Sequence, residues 1–445
     1  MWQQRLIIGA RNMPHKKTVM LIGSGGREHA IAWKLSQSPL LKKTIVLPGS
    51  DGIAALPKTA CKTETDFLKA AQEIKPDLVI IGPEQPLAEG LTDLLEENGF
   101  TVFGPTQAAA QLESSKIFSK DFMRDEEIPT ARFAACNDFD TAQDIIQNWD
   151  ASKGFVVKAD TLAAGKGVVV TDSRDEALKT AKDFMVNPAC TVKTERLLLE
   201  EKLTGKEVSA FAVCDGTDFL TLGYACDYKR AFAGDKGPNT GGMGGFSPQG
   251  WPSDKVRKFV AEHIFKKTLD GMAARGTPFK GILFAGLMVD GDNVNVIEYN
   301  VRLGDPETQI LLPLMEDDIL EIFLAAAKGD LASLGKKSFS LSGATAVHIV
   351  MASEGYPSTD GSAMTLQQTI NGIDQAENDN NALIFLAGAK KHGTDWVNTG
   401  GRVLGVTAIG KDAEEARKKA YAALAQISFC GAHFRDDIAG GGFGT

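Results

Sequence analysis

Residues 284–309 read FAGLMVDGDNVNVIEYNVRLGDPETQ. The runs 283–289 and 294–301 are apolar and rich in branched residues, and DGDN between them is a turn signal, so the pair reads as a β-hairpin. Successive side chains of a strand point to opposite faces. Ile297, Tyr299 and Val301 are therefore expected on one face, and Glu298, Asn300 and Arg302 on the other. A carboxylate and an amide oxygen two residues apart on one face suit a hard cation, Mg2+ or Mn2+. An arginine beside them can fork onto a carboxylate or a phosphate. A half-solvated strand with a chance salt bridge would carry the same residues, so other segments have to decide.

Upstream, VVKADTLAAGKGVVV (156–170) reads strand, glycine-rich loop, strand. A Walker loop needs G-x-x-x-x-G-K-[ST] and then a helix, and neither is present. Gly165, Lys166 and Gly167 follow small Ala163 and Ala164 and can fold over a triphosphate as a mobile flap. Lys158, at the end of the first strand, points a fixed cation at the phosphates; a plain Ala/Gly hairpin with an exposed lysine would look similar. In LLLEEKLTGKEVS (197–209) an apolar strand leads into Glu200, Glu201, Leu203 and Glu207. A nucleotide cleft needs a hinge backbone for the adenine edge and a carboxylate for the ribose, although a solvated acidic strand end looks alike. The segment DYKRAFAGDKGPNTGGMGGFSP (227–248) is too glycine-rich for regular structure and reads as a functional loop. Lys229 and Arg230 supply anion-binding charge, and 239–245 allow close backbone approach.

Near the N-terminus, IGSGGREHA (22–30) places Gly23, Gly25 and Gly26 between a strand and a helix, where backbone N–H groups can receive an anion. Glu28 stands where a dinucleotide fingerprint has its third glycine, and the second strand ends Val46-Leu47-Pro48-Gly49 without an acidic residue. A substrate phosphate, with Arg27 nearby, is favoured over NAD. Of the histidines, His29 lies near this loop.

The first hundred residues alternate strand and helix, an α/β pattern of parallel, doubly wound type. In PLAEGLTDLLEENG (86–99), Leu87, Leu91, Leu94 and Leu95 fall on one helical face, and Gly99 closes the helix. A second region runs from about 116 through the hairpin, and the last hundred residues read as a small strand-rich α+β domain closing on a helix. A length of 445 residues suits about three domains. The net charge of −9 argues against a nucleic-acid partner, so positive charge for an anionic substrate has to be local. Six scattered cysteines without a C-x-x-C indicate neither a disulfide framework nor zinc and fit a reducing cytoplasm. No apolar run approaches the roughly 20 residues of a membrane span. Residues 1–17 read as a short extension rather than a signal peptide, and the AGGGFGT end as a flexible tail.

Six stretches carry a resemblance: GSGGREHAIAWK (23–34), GPEQPLAEGL (82–91), FGPT with AAAQLESSK (103–116), KADTLAAGKGV (158–168), GPNTGGMGGFSP (237–248) and IEYNVRLGDPETQ (297–309). Together they resemble the glycinamide ribonucleotide synthetases, ATP-grasp enzymes of purine biosynthesis. The resemblance implies an N-terminal α/β domain (18–117), an ATP-grasp domain (118–338) with a lid at about 133–200, and a C-terminal α+β domain (339–439). It implies that Lys116 and Lys158 bind ATP phosphates under the Gly165-Lys166-Gly167 loop. Glu200 and the Glu201–Leu203 backbone would hold adenine, Glu207 the ribose, and Glu298 and Asn300 the metal. Arg302, Gly304 and Asp305 would place glycine and the phosphoryl group, with Lys158, Arg302 and Asp305 as the catalytic set. Gly23, Gly25, Gly26, Arg27 and Glu28 would face phosphoribosylamine, and Asp227, Lys229, Arg230 and Asn239 complete the implied substrate contacts. The implied reaction joins glycine to 5-phosphoribosylamine through glycyl phosphate, giving ADP and phosphate, in a cytoplasmic monomer that needs no nucleic acid or membrane. The chain departs from the family pattern at Tyr228 (usually His), Thr161 (Gly), and Ser24 and Ser50 (Asn).

Overall fold

The computed structural model describes residues 15–163, 167–358 and 363–441. The N-terminal alternation builds a five-stranded sheet ordered Thr59–Cys61, Leu41–Pro48, Lys17–Gly23, Leu78–Ile81, Val102–Phe103. Every neighbouring pair is parallel. The order reverses beside Lys17–Gly23, and ligands of open α/β sheets sit outside the strand ends at such a switch point. Gly23 and the start of helix Gly26–Ser36 lie there. The expected single helix over 86–99 is two helices, Glu84–Ala88 and Leu91–Glu97, broken at Gly90, whose φ of +83° a side chain disfavours. Leu94, at the margin of the second helix's buried face, is 42% exposed, while Leu87, Leu91 and Leu95 are buried.

The opening stretch does form a hairpin, Lys280–Asp290 with Asn293–Asn300. Its register shifts once: Gly286 faces Glu298 and Leu287 faces Val296, which leaves Ile297 unpaired. One extra residue in one strand is a β-bulge and interrupts strict alternation. Tyr299 and Val301 enter the core as the alternation requires, but across the bulge Val296 is in the core as well, and Ile297 joins Glu298 and Asn300 along a cleft.

This hairpin is the edge of an eight-stranded sheet. From the hairpin it continues through Lys206–Asp215, Phe219–Asp227, Gly244–Phe246, Thr345–Ala352, Arg402–Gly410 and Leu383–Leu386. All its pairings are antiparallel. The glycine-rich segment is thus more regular than its composition suggests. It holds the short strands Arg230–Phe232, Lys236–Asn239 and Gly244–Phe246. A Cβ at Gly244 would lie 2.5 Å from the His348 carbonyl oxygen and one at Gly245 2.4 Å from that of Cys226, so only glycine lets this strand bridge its two neighbours.

A separate four-stranded antiparallel sheet, Phe133–Cys136, Leu197–Glu200, Phe155–Ala159 and Val168–Thr171, packs helices Phe139–Asn148 and Arg174–Met185 over its own core of Trp149, Phe155, Phe184, Leu197 and Leu199. At the C-terminal end, helix Ala413–Leu424 packs on Thr345–Ala352 and Arg402–Gly410. Among the described residues no helix is long and apolar enough to cross a membrane.

His29 joins the N- and C-terminal parts. It is buried, its Nδ1 accepts the Leu386 N–H at 2.9 Å, and burial pushes its pKa down to about 4. Its imidazole is spent on this contact. His348, also buried, is pushed down by burial to about 3. Both rings are neutral in the folded and unfolded states above about pH 6.5. Below that the unfolded chain takes up protons first, so stability is lost as pH falls toward 4 for His29 and 3 for His348. Gln can accept the same N–H without titrating. His29→Gln should therefore flatten the loss between pH 6.5 and 4 by up to roughly 3 kcal/mol. Urea denaturation across that range checks this, and parallel curves for both proteins would refute it.

Candidate active site

A cleft of about 720 Å³ lies between the four-stranded sheet and the hairpin end of the large sheet. Its lining unites most of the residues singled out in the sequence. Lys158, Gly167, Glu200, Glu201 and Leu203 border it from the small sheet and the linker after it, Lys116 from helix Lys116–Asp125, and Glu207 from strand Lys206–Asp215 of the large sheet. Asp227, Lys229, Arg230, Asn239, Glu298, Asn300 and Arg302 border it from the large sheet and the glycine-rich segment. Gly165 and Lys166 fall outside the described residues.

Helix Lys116–Asp125 places Lys116, Ser119 and Lys120 on one face, three and four residues apart, and all three line the cleft. Glu200 sits between two lysines from different elements, with Oε1 2.8 Å from Lys158 Nζ and Oε2 3.2 Å from Lys120 Nζ. All three are buried. Burial pushes Lys120 down to about 8, only partly offset by Glu200. Burial also works to lower Lys158, but Glu200 and Glu298 outweigh it and the net shift is upward. Lys116, lowered by burial, donates to the Thr161 carbonyl at 2.8 Å. Lys229 pairs with Glu207 at 3.1 Å and Asp227 at 3.4 Å. Burial and the neighbouring Asp227 push the Glu307 carboxyl up, and Ser209 donates to it at 3.0 Å.

Asn300 and Arg302 act as a unit. Arg302 Nη2 donates to Asn300 Oδ1 at 3.0 Å and pairs with Glu113 at 3.0 Å, while its Nε lies 3.4 Å from Glu84. Glu113 also accepts the Val301 N–H at 2.7 Å, so one buried carboxylate fixes both backbone and side chain at this strand end. Burial pushes Glu113 up. At Glu298 burial favours the neutral acid, yet Lys158, Lys229 and Lys116 outweigh it and hold the carboxyl below its usual range. Glu298 is thus an anion facing the cleft, next to an amide oxygen held in place. That donor set fits a hard divalent cation. No group of three or more His, Cys, Asp or Glu that could hold a metal occurs among the described residues, so two protein oxygens would leave most positions to phosphate and water, as is usual for Mg2+.

The N-terminal residues form an adjoining cluster outside the cleft lining. Arg27 reaches Glu28 at 2.6 Å, the Leu303 carbonyl at 3.3 Å and Glu84 at 3.7 Å, so Glu84 links it to Arg302. Gly26 opens the helix here. Glu28 is buried against Gly23 and accepts the Gly25 N–H at 2.8 Å. One donor of the anion cradle expected at Gly23, Gly25 and Gly26 is therefore already occupied by the loop's own carboxylate. Gly304 and Asp305 also lie outside the cleft lining, and against burial, which raises it, the Arg402 and Arg27 charges hold the Asp305 carboxyl down. Asp305 takes a two-pronged pair from Arg402, at 3.1 Å on each oxygen, and Arg402 also donates to the Gly241 carbonyl at 2.7 Å.

Lys120, Glu84, Glu113 and Arg402 escaped the reading of single residues. The first could have been found as the next turn of the Lys116 helix. The others take their meaning from partners far away in sequence.

Replacing Glu200 with Gln leaves two buried ammonium groups without their anion. Removing one partner of a buried pair costs about 3–5 kcal/mol. Glu200→Gln should lose on the order of 3 kcal/mol, and Glu200→Gln with Lys120→Met should recover part of it. Chemical denaturation measures both, and a single variant within about 0.5 kcal/mol of the parent would mean that the pair contributes as a surface one does.

Three family models cover the chain in succession. They are the phosphoribosylglycinamide synthetase N domain over residues 17–113, its ATP-grasp (A) domain over 114–308 and its C domain over 346–441. A phosphoribosylamine–glycine ligase of Caulobacter vibrioides is 42% identical over 427 residues, 95% of this chain and 98% of the relative. One of Mesorhizobium japonicum is 43% identical, covering 94% of this chain and 97% of the relative. The crystal structure of a phosphoribosylamine–glycine ligase from Thermotoga maritima matches with a TM-score of 0.81 at 34% identity, over 95% of this chain and 100% of that one. A biotin carboxylase from Campylobacter jejuni shares the fold alone, with a TM-score of 0.69 at 15% identity. Three consecutive domains and relatives matched from end to end place the chain in the phosphoribosylamine–glycine ligase family, ATP-grasp enzymes that use ATP with a divalent metal ion.

Proposed function

We propose that the cleft carries the family's reaction, joining glycine to 5-phosphoribosylamine with release of ADP and phosphate in de novo purine synthesis, through a division of labour among the residues above. The observation that carries it is the meeting of Glu298, Asn300 and Arg302 with Lys116, Lys158 and Lys229 in one cleft. Glycine's carboxylate is a poor acylating agent, and phosphorylation gives glycyl phosphate, whose leaving group is good. Phosphoryl transfer asks for positioning and charge neutralisation rather than a protein nucleophile.

Lys158 and Lys116 bind the phosphates of the nucleotide, with the loop ending at Gly167 as cover. Glu200 and the backbone of residues 201–203 receive adenine, and Glu207 the ribose. Glu298 and Asn300 hold the cation, Mg2+ or Mn2+, which neutralises charge on the phosphates when bound. Arg302 and the Gly304-Asp305 turn orient glycine toward the transferred group. Lys158, Arg302 and Asp305 form the catalytic set. Asp227, Lys229, Arg230 and Asn239 line the substrate side. Residues 23–28, at the switch point of the N-terminal sheet, face the phosphate of phosphoribosylamine, with backbone N–H groups and Arg27 as donors. A closed cover keeps water from the acyl phosphate.

The same reading assigns residues 18–117, 118–338 and 339–439 to three domains, the lid to about 133–200, and the chain to a cytoplasmic monomer. Six free cysteines suit that reducing compartment.

ADP formation should require glycine and 5-phosphoribosylamine together, and bicarbonate should not replace glycine. Glu298→Gln and Asn300→Ala should each reduce metal-dependent turnover by at least about tenfold with unfolding curves close to the parent's. Bicarbonate-dependent phosphate release would favour a carboxylase, and full activity in either variant would move the cation elsewhere.

A further inference from the structure

We infer that Arg435 is a positioning residue for the reaction, latching the cleft-lining loop 228–240 to the C-terminal segment. Its guanidinium is 1% exposed and grips Asp437 through both carboxylate oxygens, at 2.7 and 2.6 Å. The remaining donors turn to the loop, reaching Asp235 at 2.9 Å and the Arg230 carbonyl at 3.1 Å. The same group stacks 4.8 Å over the ring of Tyr228, whose hydroxyl accepts the Ala439 N–H at 3.1 Å. Two further bonds repeat the pattern: Gly234 N–H to Asp437 at 2.9 Å, and His433 Nε2–H to the Ala231 carbonyl at 2.8 Å.

The C-terminal segment is itself anchored. Tyr421 donates to the Arg435 carbonyl at 2.8 Å, and Arg417 donates to the carbonyls of Ile438 at 3.0 Å and Asp436 at 2.7 Å. The support thus runs from helix Ala413–Leu424 through residues 435–438 into the loop. Tyr228, Lys229, Arg230, Asp235, Asn239 and Thr240 of this loop also line the cleft. A buried guanidinium is a costly way to gain stability, because apolar packing achieves as much without desolvating a charge. What the fork adds is direction, since it ties the short hairpin of Arg230–Phe232 and Lys236–Asn239 to the C-terminal segment in one orientation. Tyr228 supplies the stacking face.

The test uses the full chain, with glycine as probe; that choice rests on the proposed reading of the cleft, whereas loop exchange does not. Arg435→Lys keeps the charge and removes the fork, and Tyr228→Phe keeps the ring and removes the acceptor. Amide exchange across 228–240 should quicken on the order of tenfold in Arg435→Lys, less in Tyr228→Phe, and stay unchanged in strand Lys206–Asp215. The glycine KM should rise on the order of tenfold in Arg435→Lys. A smaller folded fraction would lower kcat and leave KM alone, so KM separates positioning from stability. Should Arg435→Lys not fold, Asp235→Asn carries the same measurements, its carboxylate being 72% exposed. Parent-like KM overturns the inference whatever the melting temperature, and so does parent-like loop exchange. If the parent forms no ADP the reading of the cleft fails, and loop exchange alone decides the latch.

Discussion

Buried charge is the constraint on which the rest of this structure depends. The cleft concentrates lysines and arginines inside a chain of net charge −9, and Lys120, Lys158, Lys229 and Arg302 are each held by an anion from another segment. Glu200 shows the principle. It closes a strand of the small sheet, yet it joins that sheet to helix Lys116–Asp125 through Lys120. An isolated buried ion would be too costly to keep. The folds that present these cations are therefore also the folds that bring their partners, and the ion pairs double as mechanical ties between the walls.

The same logic extends outward. Glu113 holds Arg302, and Glu84 links Arg302 to Arg27 and so to the N-terminal sheet. Arg402 fixes the Asp305 turn and the Gly241 carbonyl from the far side. The eight-stranded sheet makes this arrangement possible, because the short Gly244–Phe246 strand joins the hairpin half to the C-terminal half. A C-terminal part that looks peripheral in the sequence is thus built into the cleft's support.

Local pattern made much of this legible. Alternating apolar runs and helices disclosed the parallel sheet, and two apolar runs around DGDN disclosed the hairpin with its charged face. The misses have physical causes. Ile297 left its expected face because a bulge adds one residue to the count. Gly90, in a left-handed conformation, breaks a helix whose periodicity looked continuous, and Leu94 lies at the margin of the buried face of the second piece. The glycine-rich stretch proved partly strand because glycine permits close backbone packing as well as disorder. Glu84, Glu113 and Arg402 could not be read locally, since their partners lie far away in the chain. The family resemblance added the ligand assignments, which no periodicity contains.

The central claim is that the bulged hairpin presents the cation and triphosphate site. Anomalous diffraction from crystals grown with ADP and Mn2+ tests it most directly. The account predicts a manganese peak bonded to the Glu298 carboxylate and Asn300 Oδ1, with nucleotide phosphates between it and Lys158. A bound nucleotide whose metal lies away from both side chains would contradict it.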